Sequence, residues 1–330
     1  MVNNGLHSPI PLGAEEEYNR VHNATELPDY TDFVDEIPSY DVTIIIILVC
    51  IFLISVLGLL GNGTVIWILG FCMKRTAFAT YILNLAVADL GVLLGSVPWR
   101  IIVFLDNSHS HLVNFDVHYL VIISAYCFFS MNLIGQFLLT AISIDSCVSV
   151  VFPIWHRCRR PPNLSIIVCT IIWSLAFLLT LVHILNDIVV FGVAFGWYQL
   201  LVSTVLCLPL MTASTLILFI KLCLRSQQRQ QGNVLIAILM VLLFSLMFAF
   251  PFSFLYLIFS FPHLTFRNAL HVGALCCCLN SSIKPLIYFL VGRRKRGQSR
   301  ESMKVILQRL FKEEEDCREE ANNVPIQTQV

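Results

Sequence analysis

Residues 119–161 read YLVIISAYCFFSMNLIGQFLLTAISIDSCVSVVFPIWHRCRRP. From Tyr119 to Ile144 no side chain carries a charge, and a run this long exceeds the roughly 20 residues that a helix needs to cross a bilayer. It closes on Asp145-Ser146-Cys147 and then on a hook, Pro153 to Pro161, in which Arg157, Arg159 and Arg160 bunch together. Basic side chains just beyond an apolar span mark its cytoplasmic end. The stretch is a membrane helix that points its last turn and its hook into the cell.

The rest of the chain has the same character. Of 330 residues 57% are hydrophobic and only 13% charged, which excludes a soluble domain of this size. The net charge is zero, but its distribution is uneven. All of the 21 Lys and Arg except Arg20, Arg100, Arg267 and Lys284 fall in segments 74–75, 157–160, 221–229 and 293–318. That asymmetry predicts the N-terminus outside and the C-terminus inside. Of the 12 cysteines, Cys50, Cys127, Cys169, Cys207 and Cys276 to Cys278 lie in apolar spans. Cys72, Cys147, Cys158, Cys223 and Cys317 lie at cytoplasmic ends or in the reducing cytosol, so no stabilising bridge is expected.

Apolar runs place spans at about 43–71, 78–104, 117–150, 164–186, 196–224, 233–260 and 267–291. The expectation is an all-α membrane protein, a seven-transmembrane helix bundle, with the first span acting as an uncleaved signal anchor. Pro209 and Pro251 fall inside the fifth and sixth spans, where bundle neighbours can re-satisfy the freed carbonyls. Residues 1–42 form an acidic, Pro-punctuated tail expected to be disordered outside the cell. Asn23-Ala24-Thr25 is a glycosylation sequon on that side. Tyr18 and Tyr30 lie among acidic residues; they belong either to a solvated acidic tail or to a sulfated landing strip for a basic ligand.

Residues 292–330 form a cytoplasmic tail. Arg293 to Arg296 should sit on anionic lipid headgroups. Met303, Ile306, Leu307, Leu310 and Phe311 recur at helical spacing, which predicts a short amphipathic helix over about 298–312 along the membrane surface. Thr328-Gln329-Val330 matches, at the weak level of three residues, the free C-terminal pattern that PDZ domains read. Cys317 is open to palmitoylation, although its acidic neighbours favour a solvated thiol.

The landmarks now form a pattern. Gly61-Asn62, Leu85-Ala86-Val87-Ala88-Asp89, Trp173, Pro209, Pro251 and Pro285-Leu286-Ile287-Tyr288 follow one another through the spans. In that order the chain resembles rhodopsin-like G-protein-coupled receptors. The hook Pro153-Ile154-Trp155-His156-Arg157-Cys158-Arg159-Arg160-Pro161, with Asn280-Ser281-Ser282, is similar to the Mas-related receptors among them. The resemblance covers about residues 43–312. It implies a plasma-membrane receptor for an extracellular peptide or small molecule, with a heterotrimeric G protein as inner partner.

Departures from the family pattern are equally specific. Where the superfamily has an arginine after the acid that ends the third span, this chain has Ser146 after Asp145. Losing a five-donor guanidinium means that efficient coupling does not carry over. The sixth span reads Phe248-Ala249-Phe250-Pro251, without the usual tryptophan. The cysteine at the top of the third span is absent, and Asp187 and roughly Gly192 occupy the places of the family's other pair. By resemblance, Asp145, Ser146, Arg157, Arg159, Arg160 and Tyr288 face the G protein.

Asp89 and Lys284 are the ionisable residues deep inside spans, and such groups face the bundle interior. The resemblance implies a sodium ion on the second-span aspartate and an asparagine or aspartate before the last proline. Lysine there suggests a tethered ammonium in place of the ion, paired with Asp89; the alternative is that Lys284 snorkels to the cytoplasmic side. The expected outer cavity is lined by Trp99, Arg100, Phe128, Asn132, Phe252 and Tyr256, with His183 and Asp187 beside it. Phe128 stands where amine receptors have an aspartate, which argues against a monoamine. His183 stands where Mas-like relatives have a glutamate. Arg100 either meets a ligand carboxylate or anchors its span at the interface.

Three classes compete. A ligand-activated receptor fits the landmarks, while a weakly coupling scaffold or decoy of the same fold fits Ser146. A transporter would need more intramembrane charge or paired halves. His111, His118, His183, His263 and His271 show no metal-binding spacing, so no enzyme, metal or other cofactor is expected. No nucleic-acid partner is expected either.

Overall fold

Each apolar run becomes a helix because nothing in lipid can hydrogen-bond a bare peptide group, so every segment must satisfy its own backbone. The structure, a computed structural model, describes residues 42–73, 76–108, 115–161, 163–190, 201–224, 232–259, 267–292 and 304–308. For 99–108, 115–118, 157, 187, 189–190, 232, 252–253, 255–259 and 267–270 it describes the backbone alone. All of these residues belong to the unit Val42–Val330.

In chain order the helices are α1 (Val42–Phe71), α2 (Ala77–Ser108), α3 (Phe115–Val151), the short α4 (Pro153–Cys158), α5 (Leu164–Val190), α6 (Leu208–Leu224), α7 (Gly232–Phe259) and α8 (Arg267–Gly292). All but α4 contain, or in the case of α6 complete, one of seven spans long and apolar enough to cross a membrane. At 1.5 Å per residue the 30 residues of α1 reach about 45 Å, well beyond a hydrocarbon core of about 30 Å.

The helices pack into one bundle. α1 packs on α2 and α8, α7 packs on α6 and α8, and α3 runs through the middle against α2, α5, α6 and α7. Burial follows from that placement. Of the most apolar part of α2 and of α3, 61% is buried, against 28% of α1 and 22% of the fifth span. The exposed side chains of the outer helices are large and apolar, among them Leu57, Leu60, Trp67, Phe71 and Leu224. Facing water this belt would drive aggregation; facing acyl chains it is the required surface.

Close helix approach is set by small residues. A Cβ on Gly95 of α2 would lie 2.8 Å from the Phe128 backbone nitrogen and 2.9 Å from the Ser124 carbonyl oxygen of α3. A Cβ on Gly58 of α1 would strike Ser282 of α8. Prolines are absorbed in two ways. Pro98, Pro251 and Pro285 sit inside α2, α7 and α8. Before Pro209 the fifth span instead widens into a π turn, Ser203–Cys207, a common response where the i→i−4 bond is lost.

The basic hook is itself a helix. Pro153 provides the first position of α4, where a missing N–H costs nothing, and the Arg159 N–H closes the turn on the Trp155 carbonyl. Past α8, residues 304–308 form one helical turn, with Ile306 and Leu307 buried and Lys304 and Val305 exposed. Ile306 sits directly over Gly292. Met303, Leu310 and Phe311 of the expected amphipathic helix lie outside the described residues.

Candidate functional site

The polar side chains of the bundle gather at three levels. In the middle, Lys284 of α8 places its Nζ 2.6 Å from Asp89 Oδ1 of α2, and the side chains are 2% and 3% exposed. The ammonium therefore does not snorkel. Around the pair α8 is stitched to α1: Asn62 donates to the Ser281 carbonyl at 3.0 Å, and Ser282 donates to the Ile54 carbonyl at 3.0 Å. A charge pair this enclosed contributes little net stability, but losing one partner leaves a bare buried charge.

At the end of the bundle that carries the basic hook, Asp145 lies in the last two turns of α3. Arg160 folds back from beyond α4 and donates through Nη2 to Asp145 Oδ2 at 2.7 Å and to Ser165 Oγ of α5 at 2.8 Å. His156 Nε2 lies 3.7 Å from Asp145 Oδ1, its ring stacked on Phe78. Ser146 is fully buried, and its hydroxyl has no hydrogen-bond partner among the described residues. The set that the resemblance turns toward a G protein lies largely enclosed. Asp145, Ser146 and Tyr288 are buried, and the Arg160 side chain is 5% exposed. Arg160 neutralises the carboxylate where it stands. Arg159 is exposed, and the Arg157 side chain lies outside the described residues.

Toward the other end, Phe128 is completely enclosed, edge-on to Phe129 and packed with Leu93 and Cys277. It belongs to a packed layer rather than to a cavity wall, because Gly95 lets α2 close over it. Asn132 is buried one turn along, and its Oδ1 accepts from Cys277 Sγ at 3.6 Å. His183 of α5 is buried against Tyr126, with ring centroids 5.6 Å apart and nearly perpendicular. The side chains of Trp99, Arg100, Asp187, Phe252 and Tyr256 lie outside the described residues, as do Asn23, Tyr18, Tyr30, Cys317, Thr328 and Val330.

A model of the 7 transmembrane receptor (rhodopsin family) matches residues 61–288. The human protein named Proto-oncogene Mas is 33% identical over 286 residues, covering 82% of this chain and 84% of its own. Human Mas-related G-protein coupled receptor member F is 33% identical over 286 residues, covering 83% and 80%. Its rat counterpart is 35% identical over 285 residues, again covering 83% and 80%. The chain belongs to the Mas-related family of rhodopsin-like G-protein-coupled receptors. It is a multi-pass receptor of the plasma membrane, not an enzyme.

In this Mas-related receptor several polar residues outside the expected set prove central. Gln136, one turn from Asn132 on α3, is buried, and neither amide atom has a partner among the described residues. The Trp173 indole donates to Asn84 Oδ1 at 3.0 Å and ties α5 to α2. Ser165 bridges Arg160 and thereby α5 to the end of α3. The available signal was polarity: an amide in an otherwise apolar span must face protein. Among the described residues no three His, Cys, Asp or Glu side chains gather as metal ligands would.

Proposed function

We infer that this Mas-related receptor responds to a peptide or small molecule outside the cell and engages a heterotrimeric G protein weakly. The observation that supports weak engagement is the pairing at the end of α3. Ser146 stands in the arginine position, and the Arg160 guanidinium is committed to Asp145 and Ser165. Activation needs no chemistry, only a ligand that binds one helix packing better than another. The ligand enters among Trp99, Arg100, Asp187, Phe252 and Tyr256, over the packed layer of Phe128, Asn132 and His183. The N-terminal tail, glycosylated at Asn23, lies outside. The C-terminal tail lies on inner-leaflet lipid and offers Thr328 and Val330 to a PDZ domain.

Ser146 also favours a second reading, a seven-span protein that binds without signalling and acts as a scaffold or decoy. G-protein dissociation in ligand-free cells separates the two, comparing wild type, Ser146→Arg and mock-transfected cells at equal surface expression. A wild-type signal above mock, increased by Ser146→Arg, is expected. A signal confined to the arginine variant favours the scaffold. No signal from either refutes ligand-independent coupling.

A further inference from the structure

The family resemblance brings with it a sodium ion on the second-span carboxylate, and the residues present here do not fit one. A sodium ion needs a site of net negative charge and a shell of available oxygens. At Asp89 the charge is already balanced by Lys284, whose Nζ stands 2.6 Å from Oδ1. Two oxygens of α8 are engaged as well, although Asn280 Oδ1 has no partner among the described residues. The Ser281 carbonyl accepts from Asn62, and the Ser282 hydroxyl is turned to the Ile54 carbonyl. A second cation at this carboxylate would meet the ammonium at close range inside a medium that screens poorly.

We propose that Lys284 is a built-in cation, so that the conformational balance of this receptor does not respond to sodium. A dissolved ion couples a receptor to its medium because it can leave; an ammonium on a side chain stays with α8. Separating the charges therefore requires α8 to move away from α2, and no exchange with solvent can substitute for that movement. Asp89 Oδ2 has no hydrogen-bond partner among the described residues, so the carboxylate retains an acceptor that a free ion can use once the ammonium is removed.

Thermal unfolding of the purified full-length receptor in detergent tests this, in sodium, potassium and choline chloride at equal ionic strength. Wild type is expected to unfold at the same temperature in all three salts. Lys284→Asn is expected to gain a sodium-specific rise of a few degrees, and Asp89→Asn/Lys284→Asn to lose it. Sodium-specific stabilisation of the wild type overturns the proposal, as does Lys284→Asn that folds and shows no sodium response. Should Lys284→Asn not fold, Lys284→Gln takes its place, and the wild-type series still decides.

Discussion

Arg160 lies fifteen residues beyond Asp145, yet its guanidinium rests 2.7 Å from that carboxylate, with both side chains almost excluded from solvent. The turn of α4 makes this possible by reversing the chain after α3. The charge near the end of the third helix is thus neutralised from beyond α4 rather than from the next residue. Breaking a pair buried to this degree costs on the order of 3–5 kcal/mol, because the partner remains as an unpaired charge. Arg160→Ala and Asp145→Ala should each lower the unfolding temperature, and the double variant should fall short of the sum of the two losses. Strict additivity would show that the two groups are not coupled.

The mid-bundle pair should behave likewise, with a sharper control. Lys284→Met leaves Asp89 bare and should cost about 3–5 kcal/mol, whereas Asp89→Leu/Lys284→Met removes both charges and should recover most of the loss. Surface expression and thermal unfolding measure both. A double variant as unstable as the single would mean that the lysine acts through packing alone.

Two glycines separate close approach from helix propensity. Gly95→Ala would place a methyl 2.8 Å from the Phe128 backbone nitrogen of α3, so α2 and α3 must part, at a cost of about 1–3 kcal/mol. Nothing lies within 4 Å of a Cβ on Gly63, so Gly63→Ala should be neutral or stabilising by up to about 1 kcal/mol. Equal effects of the two on the unfolding temperature would contradict this packing.

The inferred topology can be checked on whole cells. An epitope at residue 1 should bind antibody on intact cells, and one at residue 330 only after permeabilisation. Both tags reachable on intact cells would reverse the charge-based assignment of the basic loops to the inside.

The number of spans and the family could be read from the chain because each follows from local facts. A segment in lipid must satisfy its own hydrogen bonds, so an apolar run of sufficient length is a helix whatever its neighbours. The Asp89–Lys284 juxtaposition was legible for a related reason: two ionisable residues deep in apolar spans leave each other few alternatives. By contrast, Arg157, Arg159 and Arg160 are chemically alike and nearly adjacent, and nothing local distinguishes the one that turns inward. Phe128 read equally well as pocket wall or as core.

By itself, then, the order of residues determined seven membrane helices, their Mas-related landmarks and the two charges that must share the interior. Only the tertiary structure decided that Arg160 neutralises Asp145, that Phe128 is sealed beneath Gly95, and that the fifth span opens a π turn before Pro209. The first set depends on the solvent each segment meets, which composition reveals. The second depends on distances between helices, which arise only when several segments pack at once.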